Sequence, residues 1–185
     1  MIRLEYFTKD DFQALIDWNV NTSKFFLYQW AGSEFTYPLT HDQLEAYLKG
    51  ANEDGATRYI YRVVEQQTGQ VVGHLQIAAV DLKQRSARIS RVLIGNSRVR
   101  GQGYGQQMIR AACEIIFDQW QLHRATLGVF DFNQSALSCY QKAGFQIDGL
   151  LRHARKVGDA YWNLYEMSML EEEWQVVKVL EGNQS

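Results

Sequence analysis

Arg98-x-x-Gly101-x-Gly103 is the stretch of this chain whose residue types and spacing point most directly to chemistry. A β-rich apolar run over residues 89–94 leads into a polar turn at Gly95, Asn96 and Ser97. Arg98-Val99-Arg100-Gly101-Gln102-Gly103-Tyr104-Gly105 follows. Behind it Met108, Ile109, Ala112, Ile115, Ile116 and Trp120 recur at helical spacing. Strand, glycine-rich turn and helix start, in that order, leave backbone N–H groups without intrahelical partners at the positive end of a helix dipole. Such a place holds phosphate, because the donors converge and no acceptor competes. Alternating glycines let an anion reach the bare backbone. The pattern is not a P-loop, since no Lys-Ser or Lys-Thr pair follows the glycines. Nor is it a dinucleotide fingerprint. The spacing is G-x-G-x-G, and Asp118, the acid nearest the required ~20 residues downstream, falls inside the helical run. Taken alone, the stretch reads equally as a phosphate loop and as a plain glycine-rich β–α turn.

The rest of the chain must position that loop. Its 185 residues suffice for one domain with a substantial core. Hydrophobic residues make up 46% and charged residues 22%, as in ordinary soluble globular proteins. A net charge of −2 gives no overall bias toward nucleic acid or an anionic membrane. No apolar run approaches the ~20 residues of a membrane span, and the N-terminus lacks the apolar core of a signal peptide. Cys113 and Cys139 are far apart and read as reduced and buried, which suits a cytoplasmic protein. The four histidines are scattered without metal-ligand spacing, and His74, in a strand pattern, reads as a partly exposed residue.

Taken in order, the pattern predicts a strand over 1–6 and a helix ending near Val20. The aromatic stretch 21–39 then reads as core packing ahead of a pocket wall. Thr40 and Gln43 mark the start of a second helix. Three strands form a meander before the loop: 58–65, 71–80 and the run ending at Ile94. After the loop helix come a strand over 124–130, a helix over 135–143 with Gly144 as its C′ residue, and a hairpin turning at Gly158-Asp159. The order β, α, α, β, β, β, α, β, α, β, β has one crossover helix and predicts an α+β sheet. Residues 171–185 read as a charged tail, partly helical at best.

Three motifs carry a family resemblance over about residues 2–170. They are Arg98-x-x-Gly101-x-Gly103; Asn133-x-x-Ala136-x-x-x-Tyr140-x-Lys142-x-Gly144-Phe145; and Gly149-Leu150-Leu151-Arg152 followed by Gly158 and Met167-Ser168. Together they resemble the GNAT superfamily of N-acetyltransferases, and within it the ribosomal-protein N-terminal (Rim-type) branch. Gln106 and Gln107 depart from that branch, where a Glu is common, and so does Asn163, where an Asp is frequent.

The resemblance implies a GNAT-like mixed, mostly antiparallel sheet flanked by helices and splayed at an acyl-CoA site. The single domain would cover 1–170, with the tail at 171–185. It implies acetyl transfer from acetyl-CoA to a primary amine on a protein N-terminus or small molecule, without nucleic acid or membrane partners. The backbone around Leu93 and Ile94 would align the pantetheine arm like an added strand, and an N–H there would polarise the thioester carbonyl. Amides of Val99, Arg100, Gly101, Gln102, Gly103, Tyr104 and Gly105 would hold the pyrophosphate, with Arg98 or Arg100 adding charge.

Tyr140 would be the general acid for the leaving thiolate, Asn133 a pantetheine contact and Lys142 a 3′-phosphate contact. Each has a plainer counterpart: a packing face with Leu137 and Gly144, a helix-start residue, and a solvated lysine. The general base stays open among Glu34, Asp131, Glu166, His153 and a water chain. The basic residues Arg152, Arg155 and Lys156 do not suit a polyamine. They favour a peptide N-terminus or a small neutral-to-acidic amine. The alternative is a non-catalytic acyl-CoA-binding sensor or scaffold, and the final hairpin's exposed ends allow a homodimer.

Overall fold

The computed structural model describes residues 1–95 and 101–182. Strand β1 (Ile2–Tyr6) is followed by α1 (Phe12–Asp17), α2 (Lys24–Ala31) and α3 (His41–Leu48). Then come β2 (Arg58–Glu65), β3 (Val71–Asp81) and β4 (Ser86–Ile94). Helix α4 (Tyr104–Cys113) runs on through a π-helical segment, Glu114–Gln119. The chain closes with β5 (Arg124–Phe130), α5 (Gln134–Lys142), β6 (Gln146–Val157), β7 (Ala160–Leu170) and α6 (Glu171–Gly182). The strands form one sheet in the order β1-β2-β3-β4-β5-β7-β6. Among the described residues β4 and β5 are its one parallel pair, joined by the α4 crossover. This is the mixed, mostly antiparallel α+β architecture expected. Among the described residues no helix is long and apolar enough to cross a membrane.

Two cores cover the two faces. One holds Leu75, Ile77, Ile89, Met108, Ile109, Ile116, Leu127 and Met167 and lies under α4, α5 and α6. The other holds Phe12, Leu15, Leu27, Leu44, Tyr47, Ile60 and Leu93 under α1–α3. Strict alternation along β4 would put Ile89 and Leu93 on the same face. They belong to opposite cores, because one extra residue interrupts the pairing. His74 faces Leu93 and Gln76 faces Ser90, so Leu75 alone opposes Arg91 and Val92. Arg91 takes up the extra length at φ +52°. This β-bulge inverts the phase of the strand just where it enters the functional site.

The element types agree with the sequence reading, and several limits differ. α1 stops at Asp17, short of Val20, and residues 24–31 of the aromatic stretch are a helix capped by Ser23, whose Oγ accepts from Phe26 N at 3.1 Å. Cys139 is half-buried, not buried, and both cysteines are free thiols. The expected tail is a helix through Gly182. Its first turn carries Glu171, Glu172 and Glu173, favourable at a helix N-terminus. Trp174 sinks into the larger core at 2% exposure. There it stacks on Phe117 with centroids 6.0 Å apart, and its indole N–H donates to Asp118 at 3.1 Å. Trp174→Ala is expected to lower unfolding free energy by about 3–5 kcal/mol. Denaturant titration checks this; a loss under 1 kcal/mol would return α6 to the status of a tail.

Candidate active site

β4 and β5 pair only at Ser86–Arg124, Ala87–Ala125 and Arg88–Thr126. Beyond that point residues 89–94 and 127–130 diverge, and a cavity of about 590 Å³ opens between them. At the apex the Arg88 guanidinium reaches over Gly128 to the Glu166 carboxylate on β7. Nη1 bonds one oxygen and Nη2 the other, the latter at 3.1 Å. A Cβ at Gly128 would lie 2.7 Å from Arg88 Nη2, so a larger residue there would make the guanidinium shift. From Ile89 to Leu93 the diverging β4 has no strand partner on its cavity side among the described residues, an edge that an extended ligand can complete.

The glycine loop closes one end. Gly101 and Gly103 both have φ +80°, a region closed to most side chains. Gly103 is the N-cap of α4 and brings no side-chain cap of its own to the first-turn N–H groups. Gly101, Gly103 and Gly105 line the cavity. Gly105 also has a packing role, since a Cβ there would meet Cys139 Sγ at 3.1 Å. Tyr104 turns its side chain away to hydrogen-bond the Glu65 carboxylate on β2, pinning the helix start to the sheet. Of the residues expected here, Arg98, Val99 and Arg100 lie outside the described residues. Gln102 lies within them but off the cavity wall. Leu93 and Ile94 line the wall. The strand ends at Ile94, and at Gly95 beyond it a Cβ would fall 1.8 Å from the Trp18 ring, so the indole packs close against that backbone.

α5 forms the opposite wall with Asn133, Ala136, Cys139, Tyr140 and Lys142. Asn133 Oδ1 accepts from Ala136 N at 3.3 Å, so the residue caps its helix and lines the cavity at once. Tyr140 packs its ring in the core, 8% exposed, and its hydroxyl makes no hydrogen bond with the described residues. Burial pushes its pKa up, so the hydroxyl keeps its proton. Lys142 stands at the cavity rim, its carbonyl accepting from Gln106 Nε2 at 3.1 Å.

The far end is walled by Phe26, Gln29 and Trp30 of α2 and by Phe130. The aromatic stretch thus divides: Leu27, Ala31 and Phe35 serve the core while Phe26 and Trp30 line the pocket. Trp162 of β7 meets Phe130 at 4.9 Å, Phe132 at 4.8 Å and Tyr28 at 5.7 Å, bringing the last hairpin against α2. Four side chains were open as the base. Glu34 is ion-paired with Arg91 and Glu166 with Arg88. Asp131 accepts from Asn163 Nδ2 at 2.8 Å, and His153 is exposed and stacked on Tyr161. None of the four lines the cavity.

Sequence reasoning missed His74. Expected half out of the sheet, it is fully buried, ringed by Phe7, Trp30 and Tyr47 at centroid distances of 5.2–5.8 Å. Burial lowers its pKa to about 4. The only sequence signal was the alternation that also placed Gln76 on that face.

A forked sheet with a phosphate-type loop at the mouth of the fork defines an acyl-CoA transferase architecture. The chain belongs to the acetyltransferase (GNAT) family, whose model matches residues 24–145. It is 25% identical over 154 residues to the aminoglycoside N(6′)-acetyltransferase type 1 of Klebsiella pneumoniae, covering 80% of this chain and 75% of that protein. It is 34% identical over 102 residues to an L-amino acid N-acetyltransferase of Escherichia coli K12, covering 51% and 60%. In structure it is similar to the spermidine N-acetyltransferase of Vibrio cholerae solved with CoA and spermine. The TM-score is 0.80 at 20% identity, over 94% of this chain and 98% of that one.

Proposed function

We propose that the protein transfers an acetyl group from acetyl-CoA to a primary amine, and that the acceptor's body is neutral or anionic. The observation that carries the transfer is the fork itself: one cavity joins a glycine-capped helix N-terminus, a strand that has diverged from its neighbour and a protonated tyrosine. The residues fit the donor. The N–H groups of Gly101, Gly103 and the first turn of α4 hold its pyrophosphate, and the Leu93–Ile94 backbone holds its pantetheine arm. Lys142 faces its 3′-phosphate and Asn133 Nδ2 the arm. Acetyl-CoA supplies an activated thioester. A backbone N–H of the bulged strand polarises the carbonyl, Tyr140 Oη carries the proton for the departing sulfur, and the walls orient both reactants. Orientation of that kind supplies ~7–11 kcal/mol. The unit we propose is residues 1–170, with α6 sealing its core.

The acceptor class rests on charge. Among the described lining residues Arg91 and Lys142 are the charged ones, and no carboxylate is present. A polycation needs carboxylates to replace its hydration. An α-amine of an amino acid or of a peptide N-terminus carries no second cation and makes no such demand. The likeness to the ribosomal N-terminal branch, carried by the motifs, enters as the peptide arm. No side chain is assigned as base; the amine enters neutral and sheds its proton to water.

Calorimetric titration with acetyl-CoA, CoA and NAD comes first, then CoA-thiol release with amino acids, short peptides, spermidine and an aminoglycoside. We expect saturable acetyl-CoA binding, competition by CoA, silence from NAD, and turnover with the α-amines. Binding without turnover would make the protein a sensor or scaffold. Preference for spermidine or the aminoglycoside would overturn the acceptor class.

A further inference from the structure

We propose that His74 is a positioning residue for acetyl transfer: it holds the carbonyl of Arg91 and so fixes the bulge that turns β4 into the fork. The inference rests on the acetyl-transfer reading. His74 Nδ1 lies 3.0 Å from Arg91 O. A carbonyl only accepts, so Nδ1 carries the hydrogen. The ring is neutral at working pH, because burial brings it down to about 4, and it therefore has one N–H. Nε2 is left as an acceptor and faces the Tyr47 hydroxyl at 3.4 Å. The tautomer is thus set by two partners, with three aromatic rings closing off water.

The need for such a device follows from Arg91. A non-glycine residue at φ +52° in mid-strand is held away from its preferred backbone region and relaxes unless its surroundings fix it. Its carbonyl and its guanidinium tip are both held. The carbonyl is taken by His74. The guanidinium is ion-paired with Glu34 and lies over the Tyr47 ring at 5.7 Å. Tyr47 therefore touches both His74 and Arg91. Glu34 follows α2, whose Trp30 lines the cavity and meets the His74 ring at 5.8 Å. One cluster, buried at His74 and Tyr47 and reaching the surface at Glu34, thereby fixes the donor strand and the acceptor wall relative to each other. Losing the bulge would return residues 92–94 to the opposite phase and swap the faces of Val92 and Leu93. A misplacement of about 1 Å at the reacting atoms costs on the order of 10²-fold in rate.

Three substitutions separate positioning from packing. Asn places Nδ2 where Nδ1 stood and can still donate to Arg91 O, yet it leaves the largest void. Gln extends a donor toward Tyr47 instead, and Phe fills the space without a donor. In the full chain, kcat with the best amine should fall on the order of 10²-fold for His74→Phe and His74→Gln. His74→Asn should stay within about 10-fold of wild type, although it melts lowest. KM for acetyl-CoA should change less than kcat. Activity falling in the same order as stability, or a Phe variant at wild-type kcat, would overturn the proposal. Imidazole ¹⁵N shifts of the ligand-free wild type provide a readout without turnover: a protonated Nδ1 is expected, and a protonated Nε2 overturns the proposal. A wild type that binds no acetyl-CoA defeats the acetyl-transfer reading and this one with it. An active wild type with three unimpaired variants defeats this one alone.

Discussion

Gly103→Val is expected to weaken acetyl-CoA binding at least ~100-fold while the protein stays folded. Gly103 sits at φ +80°, ψ 0°, as the N-cap of α4. An L-residue pays roughly 1–2 kcal/mol in that region, and a β-branched one pays most. The cost is not a clash with the described residues, because a Cβ built at Gly103 meets none of their atoms within 4 Å. Open space in front of an uncapped helix N-terminus is where an anion would sit, so the valine methyls compete with the ligand. A backbone that escapes strain by rotating also turns its N–H away, losing a charge-assisted bond worth about 1.5–3 kcal/mol. A lost bond at the upper end of that range, or a lesser loss joined by the bulk of the methyls, reaches the ~2.7 kcal/mol of a 100-fold change. Gly103→Ala, with strain but less bulk, should fall between. Calorimetry on both variants is decisive: a valine variant with normal affinity removes the loop from the site.

What could be read in the sequence was what local chemistry determines. The glycine loop, the helix behind it and the Asn133–Phe145 block declare themselves through neighbours in sequence, and each stands at the cavity. The strand count was legible from alternation, but the order β5-β7-β6 was not. Which strand of a hairpin docks on β5 depends on faces buried far away in the chain. The bulge at Arg91 was hidden for the same reason. Residues 89–94 read as a plain strand, and what holds the extra residue is Glu34 from the loop after α2, Tyr47 from α3 and His74 from β3. His74 was misjudged because alternation assigns a face and not an environment; the face expected to be half-solvated is covered by α2 and α3. α6 looked like a tail because Glu171–Glu173 and exposed Val176, Val179 and Leu180 obscure its buried side, which rests on Trp174 and Val177. The family was legible in three motifs. The acceptor was not, since its wall joins α2, β5 and β7.

Tyr140→Phe should lower kcat by about 10²–10³-fold and leave acetyl-CoA affinity within about threefold. The ring is a core element, packed with Ala143 and Phe145, and phenylalanine preserves it. The hydroxyl is bonded to none of the described residues, so its removal leaves none of their polar groups unpaired and stability should hold. The residue lines the cavity, and burial keeps its hydroxyl protonated, with the half-buried Cys139 thiol adding in the same direction. A hydroxyl that holds its proton cannot act as a base. It can deliver that proton to a thiolate leaving from the donor. If Tyr140 only packs, the variant is silent in every assay. The chemical signature separates a lost proton donor from a displaced wall. A donor whose leaving thiol is already acidic needs no proton, so an aryl thioester should restore most of the lost rate in the variant. A misplaced wall would slow both donors equally, and that result would take the general acid away from Tyr140.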